Sequence, residues 1–536
     1  MSGLSPPANP AGVTATVFRA SRRGALRAAA AGSVVLTAGC AVPGRVPGPS
    51  PADTVPGAAS GPARAASGPL ATANAPSSAP SSADTGAWLD RLSWGCTPSL
   101  LAAHASLGHA SWLAAQLRPE PGHGLPPEVA ATLPAMPPDR DGLAALLIAL
   151  ERSRRAAEAE RDEARQRAAR QAYQQELAQW SRQAQARSLL QAVHSRHQLR
   201  ELMTWFWFNH FSVNQYKANL RALVGDYEER AIRAHALGRF RDLLGAAVRH
   251  PAMLRYLDNE QNAAGRLNEN LARELLELHT LGVDGGYRQA DVQELARVLT
   301  GVGVNFTDDT PRLRPGLQPL YRREGVFEFN PNRHDGGDKQ LLGRRIRGRG
   351  LEELDEVLDL LAAHPATARF VCGKLVRYLV ADPAPPALVA HAADVFLERD
   401  GEIAPVIEAL IGSPAFQPSL GRLFKTPMHF VCSGLRLVAE AQPLRDPAPA
   451  LGWLARLGQP LFSRPTPDGY PLSAPAWSSP GQMTARFDIA RAMGATPVAL
   501  ALARPAGPAT QAALARAGSV AERNFLLLAS PAFMMR

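Results

Sequence analysis

The clearest helical pattern in the chain lies at residues 268–282, where apolar and polar side chains fall on opposite faces. Large apolar residues recur at intervals of four and three positions and form one stripe, namely Leu271, Leu275 and Leu278. Asn268 suits the N-terminal cap of such a helix, and Gly282 stands where a left-handed residue often ends one. We predict one amphipathic α-helix over this stretch and call it the central helix.

Helical periodicity also governs most of the chain after residue 86, so the predicted fold is mostly α, a multi-helical globular body. A segment at about 143–200, rich in Ala, Arg, Glu and Gln, predicts a long charged helix or a helical hairpin that projects into solvent. The alternative interpretation of that segment is an arm that binds a partner protein. Alternation at 326–329, followed by a Gly-rich polar loop, predicts a small β-hairpin insert at about 326–343.

The first 86 residues have the composition of a targeting segment followed by a linker. Arg22 and Arg23 precede a short apolar run, an arrangement typical of twin-arginine export signals. Small residues before Cys40 resemble a lipoprotein cleavage site, with Cys40 as the lipid acceptor; a plain secretory signal cut nearby is the alternative. Residues 41–86 are mostly Pro, Ala, Ser and Gly and predict a disordered tether. The predicted domains are a signal at 1–40, the tether, and a helical body at 87–536 with sub-parts 87–345 and 346–536.

Charge and cysteine content narrow the class of protein. The formal net charge is +10, but no basic patch interleaved with aromatic residues accompanies it, so we expect no nucleic-acid partner. The four cysteines lack metal-ligand spacing and allow at most one disulfide once Cys40 is lipidated or removed. From the twin-arginine signal and Cys40, we expect an exported protein of the periplasm, or one tethered to the outer membrane of the cell envelope through Cys40.

The polar face of the central helix carries the strongest candidate chemistry. Glu274 and Glu277 are carboxylates one turn apart, and Asn270 and Arg273 stand beside them. In the structural interpretation, Arg273 pairs with Glu269 and Glu277 on a solvated face, each pair contributing about 0.2–0.5 kcal/mol. That interpretation leaves Glu274 without an intrahelical cation, which favours a site. We predict that the two glutamates, Glu274 and Glu277, are catalytic and that Asn270 and Arg273 bind substrate.

Two further polar clusters could complete a pocket with the central helix. Asn209 and His210 end an apolar segment, where His210 is either a hydrogen-bonded core residue or a pocket residue. We assign both to substrate binding. His334 and Asp335 stand in the loop of the predicted hairpin, and we assign them to catalysis. The prediction requires both clusters to converge on the two glutamates of the central helix.

Such a carboxylate–imidazole pocket admits two chemistries. A divalent metal held by Glu, Asp and His could activate water for hydrolysis. Alternatively, two carboxylates with different pKa values could act as acid and base without a metal. His279 lies on the flank of the central helix nearer the apolar stripe, and we interpret it as a core residue.

Several of these stretches together resemble a bacterial exported family catalogued as domain of unknown function 1800. The resemblance spans about residues 90–500 and rests on the motifs at 206–211, 256–259, 268–278, 299–301, 334–335 with Gly343, 423–427 and 459–462. Phe208 stands where the family usually has His, and Tyr470 where Trp is common. The resemblance implies a mostly helical, exported protein and supplies no established activity. Members often lie beside genes for sulfatase-like secreted proteins, which implies a sulfatase-like secreted partner.

The sequence leaves two classes of function open. One is a hydrolase-like or metal-dependent enzyme of the cell envelope that uses the Glu, Asn, Arg and His pocket. The other is a non-catalytic helical scaffold that holds a partner, in which the same polar groups form a closed and fully paired network. An open cavity beside Glu274 distinguishes the first class from the second.

Overall fold

Helices build most of this protein, because apolar residues recur at helical spacing along most of its length. The computed structural model describes residues 82–137, 139–440, 442–502 and 506–536. The twin-arginine signal, Cys40 and residues 41–81 of the predicted tether lie outside the described residues. The first helix begins at Ser82, within the last part of that tether. Within the described ranges, no helix is both long enough and apolar enough to cross a bilayer.

The helices fall on either side of a small region of strands. Those before the strands are α1 (Ser82–Arg91), α2 (Pro98–Leu107), α3 (His109–Leu117), α4 (Pro127–Ala130), α5 (Arg140–Ala159), α6 (Glu163–His194), α7 (Gln198–His210), α8 (Val224–Asp226), α9 (Phe240–Arg249), α10 (Pro251–Tyr256), α11 (Asn270–Glu274) and α12 (Gln289–Val298). Those after the strands are α13 (Leu351–Ala362), α14 (Pro365–Leu379), α15 (Pro386–Glu398), α16 (Ile403–Ile411), α17 (Phe416–Ser419), α18 (Pro427–Ala439), α19 (Ala448–Arg456), α20 (Pro480–Gly494), α21 (Pro508–Ala515), α22 (Val520–Leu528) and α23 (Pro531–Met534). Two segments wind as wider π-helices, Tyr227–Ile232 and Leu275–Thr280.

The strands form two small antiparallel sheets, so the mostly α fold is confirmed. In the first sheet β3 (Phe327–Phe329) lies between β1 (Val302–Val304) and β2 (Arg322–Glu324). The second sheet is a hairpin of β4 (Lys339–Leu341) and β5 (Arg344–Ile346). The strand predicted at 326–329 is therefore present, but it pairs with β1 and β2. The hairpin of β4 and β5 lies further along the chain than the predicted one. Leu342 and Gly343 form its tight turn, and both adopt the positive φ that such a turn requires.

The charged segment predicted at about 143–200 forms two helices, α5 and α6, that pack against each other. The helical structure is interrupted by a break at residues 160–162, between α5 and α6. There the Asp162 side chain accepts a hydrogen bond from the backbone N–H of Arg165 at 2.9 Å and caps α6. Most side chains in the first half of α6 are exposed, whereas its end at 188–193 is buried. The segment is thus solvated near the break and anchored in the core at its other end.

The central helix begins as α11 and continues as the π-segment Leu275–Thr280. Its N-cap residue is Glu269, and the predicted cap Asn268 stands one residue earlier, where its side chain accepts a hydrogen bond from the backbone N–H of Asn270 at 3.0 Å. Gly282 adopts φ +83° just after the end of the helix, as the sequence predicts. Each turn of a π-helix holds an extra residue, so the faces rotate relative to an ideal α-helix. Leu278 is consequently only half-buried, while His279 is fully buried.

The core is one buried cluster to which nearly every helix contributes. Trp207 from α7 is fully buried there, as are Leu271 and Leu275 from the central helix. α14 packs beside the π-segment of the central helix. The packing therefore brings α7, α14 and the central helix together, and His210 of α7 contacts both the carbonyl of His279 and the Lys374 side chain of α14.

Candidate functional site

Glu274 ends α11 and stands out among the polar residues of the central helix. Its carboxylate is half-buried, and no described residue donates a hydrogen bond to it or forms an ion pair with it. Burial raises the pKa of Glu274 to about 7, and the neighbouring Glu277 and Asp468 carboxylates add to this shift, whereas Arg273 opposes it. Glu274 therefore has the environment of a carboxyl group that can hold a proton near neutral pH.

Asp468 comes to this place on a loop that α7 positions. The side-chain amide of Asn209 donates a hydrogen bond to the carbonyl of Tyr470 at 2.9 Å and accepts one from its N–H at 2.6 Å. Gly469 adopts φ +76°, and a Cβ there would lie 2.1 Å from the carbonyl oxygen of Asn209. Only glycine permits so close an approach. Asn209, predicted to bind substrate, thus holds the loop that carries Asp468.

The Asp468 carboxylate is ionised more readily than an ordinary one. Burial alone would raise its pKa, but hydrogen bonds from Arg464 and Thr466 outweigh that effect and lower it. The Nη2 atom of Arg464 lies 2.9 Å from Oδ2 of Asp468. Asp468 and Glu274 therefore form a pair of carboxyl groups whose pKa values are shifted in opposite directions.

Lys374 on α14 faces the same loop. Burial lowers its pKa to about 8, partly offset by the charge of Asp468, with Arg377 lowering it further. Its Nζ donates a hydrogen bond to Nδ1 of His210 at 3.1 Å, and it lies 4.8 Å from the centroid of the Phe370 ring. No carboxylate of the described residues lies within ion-pair distance of Lys374. The site thus contains an amine that is partly neutral near pH 8.

His210, predicted to bind substrate, is buried and has both ring nitrogens engaged. Its Nε2 lies 3.0 Å from the carbonyl oxygen of His279, so this nitrogen carries the proton and Nδ1 accepts from Lys374. Burial and the neighbouring Lys374 hold the pKa of His210 well below its usual range. His210 is therefore a neutral imidazole that orients the Lys374 amine.

His279 is fully buried, in agreement with its interpretation as a core residue. Both of its ring nitrogens lack a hydrogen-bond partner among the described residues. Burial, together with Lys374, lowers its pKa to about 3, so the ring is neutral. Its contribution to the site comes from its backbone carbonyl, which fixes the tautomer of His210.

A cleft of about 310 Å³ opens between α7, α14 and the Asp468 loop. Its walls include Asn209, His210, Lys374 and Asp468. Glu274 and Glu277 are not among the residues that line this cleft; Glu274 is linked to it through the charge of Asp468, and Glu277 through its charge on Glu274. We call Glu274, Glu277, Asp468, Lys374 and His210 the cleft cluster. This arrangement offers one acid with a raised pKa, one ionised carboxylate and one amine, which together suit proton transfer.

His334 and Asp335, predicted to be catalytic, belong to a different cluster. His334 Nδ1 lies 2.8 Å from the carbonyl oxygen of Thr300, and its Nε2 lies 3.0 Å from Oε1 of Glu353. Asp335 receives two hydrogen bonds from Arg297, at 2.8 and 3.2 Å, and these lower its pKa to about 2. The expected convergence of His334 and Asp335 on Glu274 is not found among the contacts of the described residues.

Lys339 and Glu353 complete that second cluster. Both are buried, and they form an ion pair with each other. Glu353 also accepts hydrogen bonds from the backbone N–H groups of Arg349 and Gly350 at 2.8 and 2.9 Å. We call His334, Asp335, Arg297, Lys339 and Glu353 the hairpin network. β4 pairs with β5 and packs on α12, and the side chains of His334, Lys339 and Glu353 are buried, whereas those of Arg297 and Asp335 remain partly exposed.

The two remaining predicted residues lie at the start and on the flank of the central helix. Asn270 is half-buried at the start of α11, where its backbone N–H binds Asn268. Arg273 binds Glu269 at 2.8 Å and Gln289 at 2.9 Å. The predicted pair of Arg273 with Glu269 is therefore present, while none of the described contacts pairs Arg273 with Glu277. Arg273 acts on the site only through its charge, which lowers the pKa of Glu274.

Sequence reasoning missed Lys374 and Asp468. A usable signal existed for Lys374, because Phe370 and Tyr378 lie four residues away on either side and extend an apolar stripe through it. A lysine in such a stripe is unusual. No comparable local signal marks Asp468, which stands in a proline-rich loop beside Gly469. Its role depends on a loop position that only the packing against Asn209 establishes.

The donor set does not suit a resident metal ion. Among the described residues, no three His, Cys, Asp or Glu side chains are arranged so that they could hold one. The cleft cluster instead combines its acids with the cation of Lys374, which disfavours a divalent cation at the same place. The metal-dependent version of the prediction therefore has no site in this part of the chain.

Comparison with known proteins identifies the family. A family model described as "Protein of unknown function (DUF1800)" matches residues 87–535, so the chain belongs to this family. The match confirms the resemblance inferred from the sequence motifs and covers every residue of the cleft cluster. Neither the curated proteins nor the solved structures contain a match to the chain.

Proposed function

We propose that this chain is an exported acid–base enzyme of the hydrolase type, in which the cleft cluster transfers protons. The observation that carries the proposal is the Glu274 carboxylate, half-buried beside Glu277 and Asp468 without a hydrogen-bond donor among the described residues. A carboxylate with a purely structural role at such a place would be paired, because an unpaired buried charge is costly. An unpaired carboxyl group beside a cleft is typical of a group that meets a substrate.

The opposite pKa shifts of two acids support separate roles for them. Glu274, with a pKa of about 7, holds a proton at neutral pH and can donate it to a leaving group. Asp468, whose pKa is lowered, stays ionised and can orient the attacking water. Lys374 can stabilise negative charge that develops on the substrate, and His210 holds its amine in place.

The test is hydrolysis of chromogenic substrates by the purified full chain, with p-nitrophenyl esters, glycosides and phosphates as probes. We expect turnover of one of these classes. Glu274→Gln should lower the rate by about 100-fold or more, since it cannot donate a proton. The wild-type rate should fall as the pH rises through about 7, where Glu274 loses its proton.

Glu269→Gln is the matched control, because Glu269 lies on the same helix and pairs only with exposed partners. This variant should retain the wild-type rate. If Glu274→Gln hydrolyses the probes as fast as the wild type, or if no class is hydrolysed, the proposal is wrong. Elemental analysis of the same preparations should find no stoichiometric metal, and a bound metal lost in Glu274→Gln would restore the metal-dependent alternative.

A non-catalytic scaffold is the second candidate, and the hairpin network is the observation that favours it. Its members are paired, and His334, Lys339 and Glu353 are also buried, as expected for groups with a structural role. The scaffold would present its exposed α5–α6 segment to a partner, for which the sequence suggests a sulfatase-like secreted protein. A pull-down with the full chain and with a variant lacking residues 155–170 would test this role.

The cell envelope is the proposed location under either function. The twin-arginine pair and Cys40 support it. Cell fractionation of the full chain and of Cys40→Ser is the direct measurement. A lipoprotein should move from the membrane to the soluble periplasmic fraction when Cys40 is replaced, and an unchanged distribution would contradict lipidation.

A further inference from the structure

The described residues also form a second cavity, of about 730 Å³. It is enclosed by α2, α3, the junction of α6 with α7, and the end of α18. None of its lining residues belongs to the cleft cluster or to the hairpin network. Its volume is within the range of sites that hold small organic ligands. The inference drawn from it is independent of the proposed function.

One wall of this cavity is apolar. Leu100, Ala103 and Leu107 follow one another on the same face of α2, and Trp112 of α3 continues the surface. Leu107, at the end of this wall, is 54% exposed. The cavity therefore has an apolar surface that extends from its interior to its mouth.

The opposite wall contains a buried cation, Arg436. This side chain is only 8% exposed, and its Nε and Nη1 donate hydrogen bonds to the carbonyls of Gly95 at 2.9 Å and Val193 at 2.6 Å. Nη2 has no acceptor, and no carboxylate lies within ion-pair distance, among the described residues. Burial lowers the pKa of Arg436 to about 10, so it remains charged at neutral pH. A buried guanidinium with a free terminal nitrogen calls for an anion.

His194 supplies a second unused donor on the same wall. Its Nε2 accepts a hydrogen bond from the backbone N–H of Leu444 at 3.2 Å. Burial and the nearby Arg436 lower its pKa to about 4, so the ring is neutral and Nδ1 carries the proton. None of the described residues accepts a hydrogen bond from that N–H. Two residues that line the cavity, His194 and Arg436, thus each have one donor without an acceptor among the described residues.

Several other polar groups of the cavity are already satisfied, although Nε2 of the buried His197 has no partner among the described residues. Glu440, at the rim, is occupied by Ser99, whose backbone N–H lies 3.1 Å from Oε2 and whose hydroxyl binds Oε1. Gln116 uses both ends of its amide on backbone groups. Arg196 pairs with Glu120. A ligand that complements the cavity therefore has a negatively charged hydrogen-bond acceptor at one end and an apolar body at the other.

We propose that this cavity binds a single-chain anionic amphiphile, a carboxylate that carries an aliphatic chain. The carboxylate accepts hydrogen bonds from Nη2 of Arg436 and Nδ1 of His194. The chain lies along Leu100, Ala103 and Trp112 and leaves the cavity past Leu107. Such a ligand satisfies both unused donors and covers the exposed leucine.

Isothermal titration calorimetry of the full chain with dodecanoate, below its micelle concentration, tests this proposal. Dodecanoate should bind in a 1:1 ratio. Dodecanol has the same chain without the charge and should bind at least about 10-fold more weakly, the difference expected from one charged hydrogen-bonded pair. Butanoate has the charge without the chain and should also bind at least about 10-fold more weakly.

Variants locate the binding within the cavity. Ala103→Trp fills the space in front of the apolar wall from an exposed position and should abolish binding. Ala105→Trp adds the same side chain to an exposed position of α2 that does not line the cavity, and should leave binding unchanged. Arg436→Gln should remove the preference for dodecanoate over dodecanol. If that variant does not fold, the Ala103→Trp comparison and the dodecanol comparison decide the question.

Three results would overturn the proposal. They are the absence of saturable dodecanoate binding, equal affinities for dodecanoate and dodecanol, and an affinity in Ala103→Trp equal to that in Ala105→Trp. The last of these would show that the amphiphile binds elsewhere on the surface of this basic protein.

Discussion

The hairpin network and the cleft cluster contain nearly the same residue types, yet their surroundings differ in kind. Each combines carboxylates, a lysine and a histidine. In the hairpin network Glu353 is 0% exposed and receives four hydrogen bonds, from His334, Lys339 and two backbone N–H groups. In the cleft cluster Glu274 is half-buried and receives none from the described residues.

The difference shows that composition alone does not identify a functional site. Charges that are paired keep their pKa values on the side of the charged form, as the pKa of Asp335, lowered by hydrogen bonds from Arg297, illustrates. Charges that lack partners beside a cleft move towards their neutral forms, as Glu274 and Lys374 do. The first arrangement stabilises the fold, and the second provides groups that exchange protons near neutral pH.

The largest expected change in stability comes from a substitution that breaks the ion pair of the hairpin network. Glu353→Gln leaves the ammonium of Lys339, which is 1% exposed, without its carboxylate partner. We expect a loss of about 3–5 kcal/mol in the free energy of unfolding, the usual consequence of an uncompensated buried charge. Urea denaturation followed by circular dichroism measures it. Glu352→Gln, at the adjacent exposed position, is the control and should change stability by less than about 0.5 kcal/mol. Equal effects of the two variants would contradict a structural role for the network.

The next effect has the opposite sign and concerns the cleft cluster. Lys374→Met should raise the free energy of unfolding at pH 7 by about 1–2 kcal/mol after allowance for partial solvent exposure. The folded state depresses the pKa of Lys374 from 10.5 to about 8, so the charged amine destabilises the fold at neutral pH. Wild-type stability should recover between pH 8 and 10.5, where the folded protein loses this proton first, and the gain of the variant should shrink there. A destabilised Lys374→Met at pH 7 would make Lys374 a structural residue.

A smaller effect depends on pH and concerns Glu274. The folded state raises its pKa from 4.5 to about 7, so the folded protein binds more protons than the unfolded chain within this range. Wild-type stability should therefore fall as pH rises from 4.5 to 7. Glu274→Gln should match the wild type near pH 4 and exceed it by about 1 kcal/mol at pH 8. Thermal melting across this pH range measures the difference, and parallel curves would show that Glu274 is fully solvated.

The smallest expected change in stability concerns Glu269, which lies at the start of the central helix and outside the cleft cluster. Glu269→Gln removes an exposed ion pair with Arg273 and should cost about 0.2–0.5 kcal/mol with little dependence on pH. The same denaturation experiment measures it. A larger loss would extend the functional environment of the central helix to its first turn and weaken the contrast between the two clusters.

The spacing of residue types over short stretches of the sequence was sufficient to predict the central helix and part of the candidate site. Leu271 and Leu275 of its stripe, the hydrogen bond from the N–H of Asn270 to the Asn268 side chain and the left-handed Gly282 depend on neighbours within a few residues and are present, whereas the π-segment leaves Leu278 only half-buried. Spacing also singled out Glu274 as a carboxylate without an intrahelical cation. These features follow from the helical period, which relates only residues a few positions apart.

Tertiary structure alone decided which polar groups meet. Lys374 reaches His210 across 164 residues of sequence, and the charge of Asp468, on a loop held by Asn209, acts on the pKa of Glu274. His334 and Asp335 have the residue types of a catalytic pair, but the hairpin packs on α12 and α13 and directs them to Glu353 and Arg297. Residue type and spacing describe what a side chain can do within its own helix or loop. Its protonation state and its partners depend on the buried volume around it, which is created only when distant segments pack together.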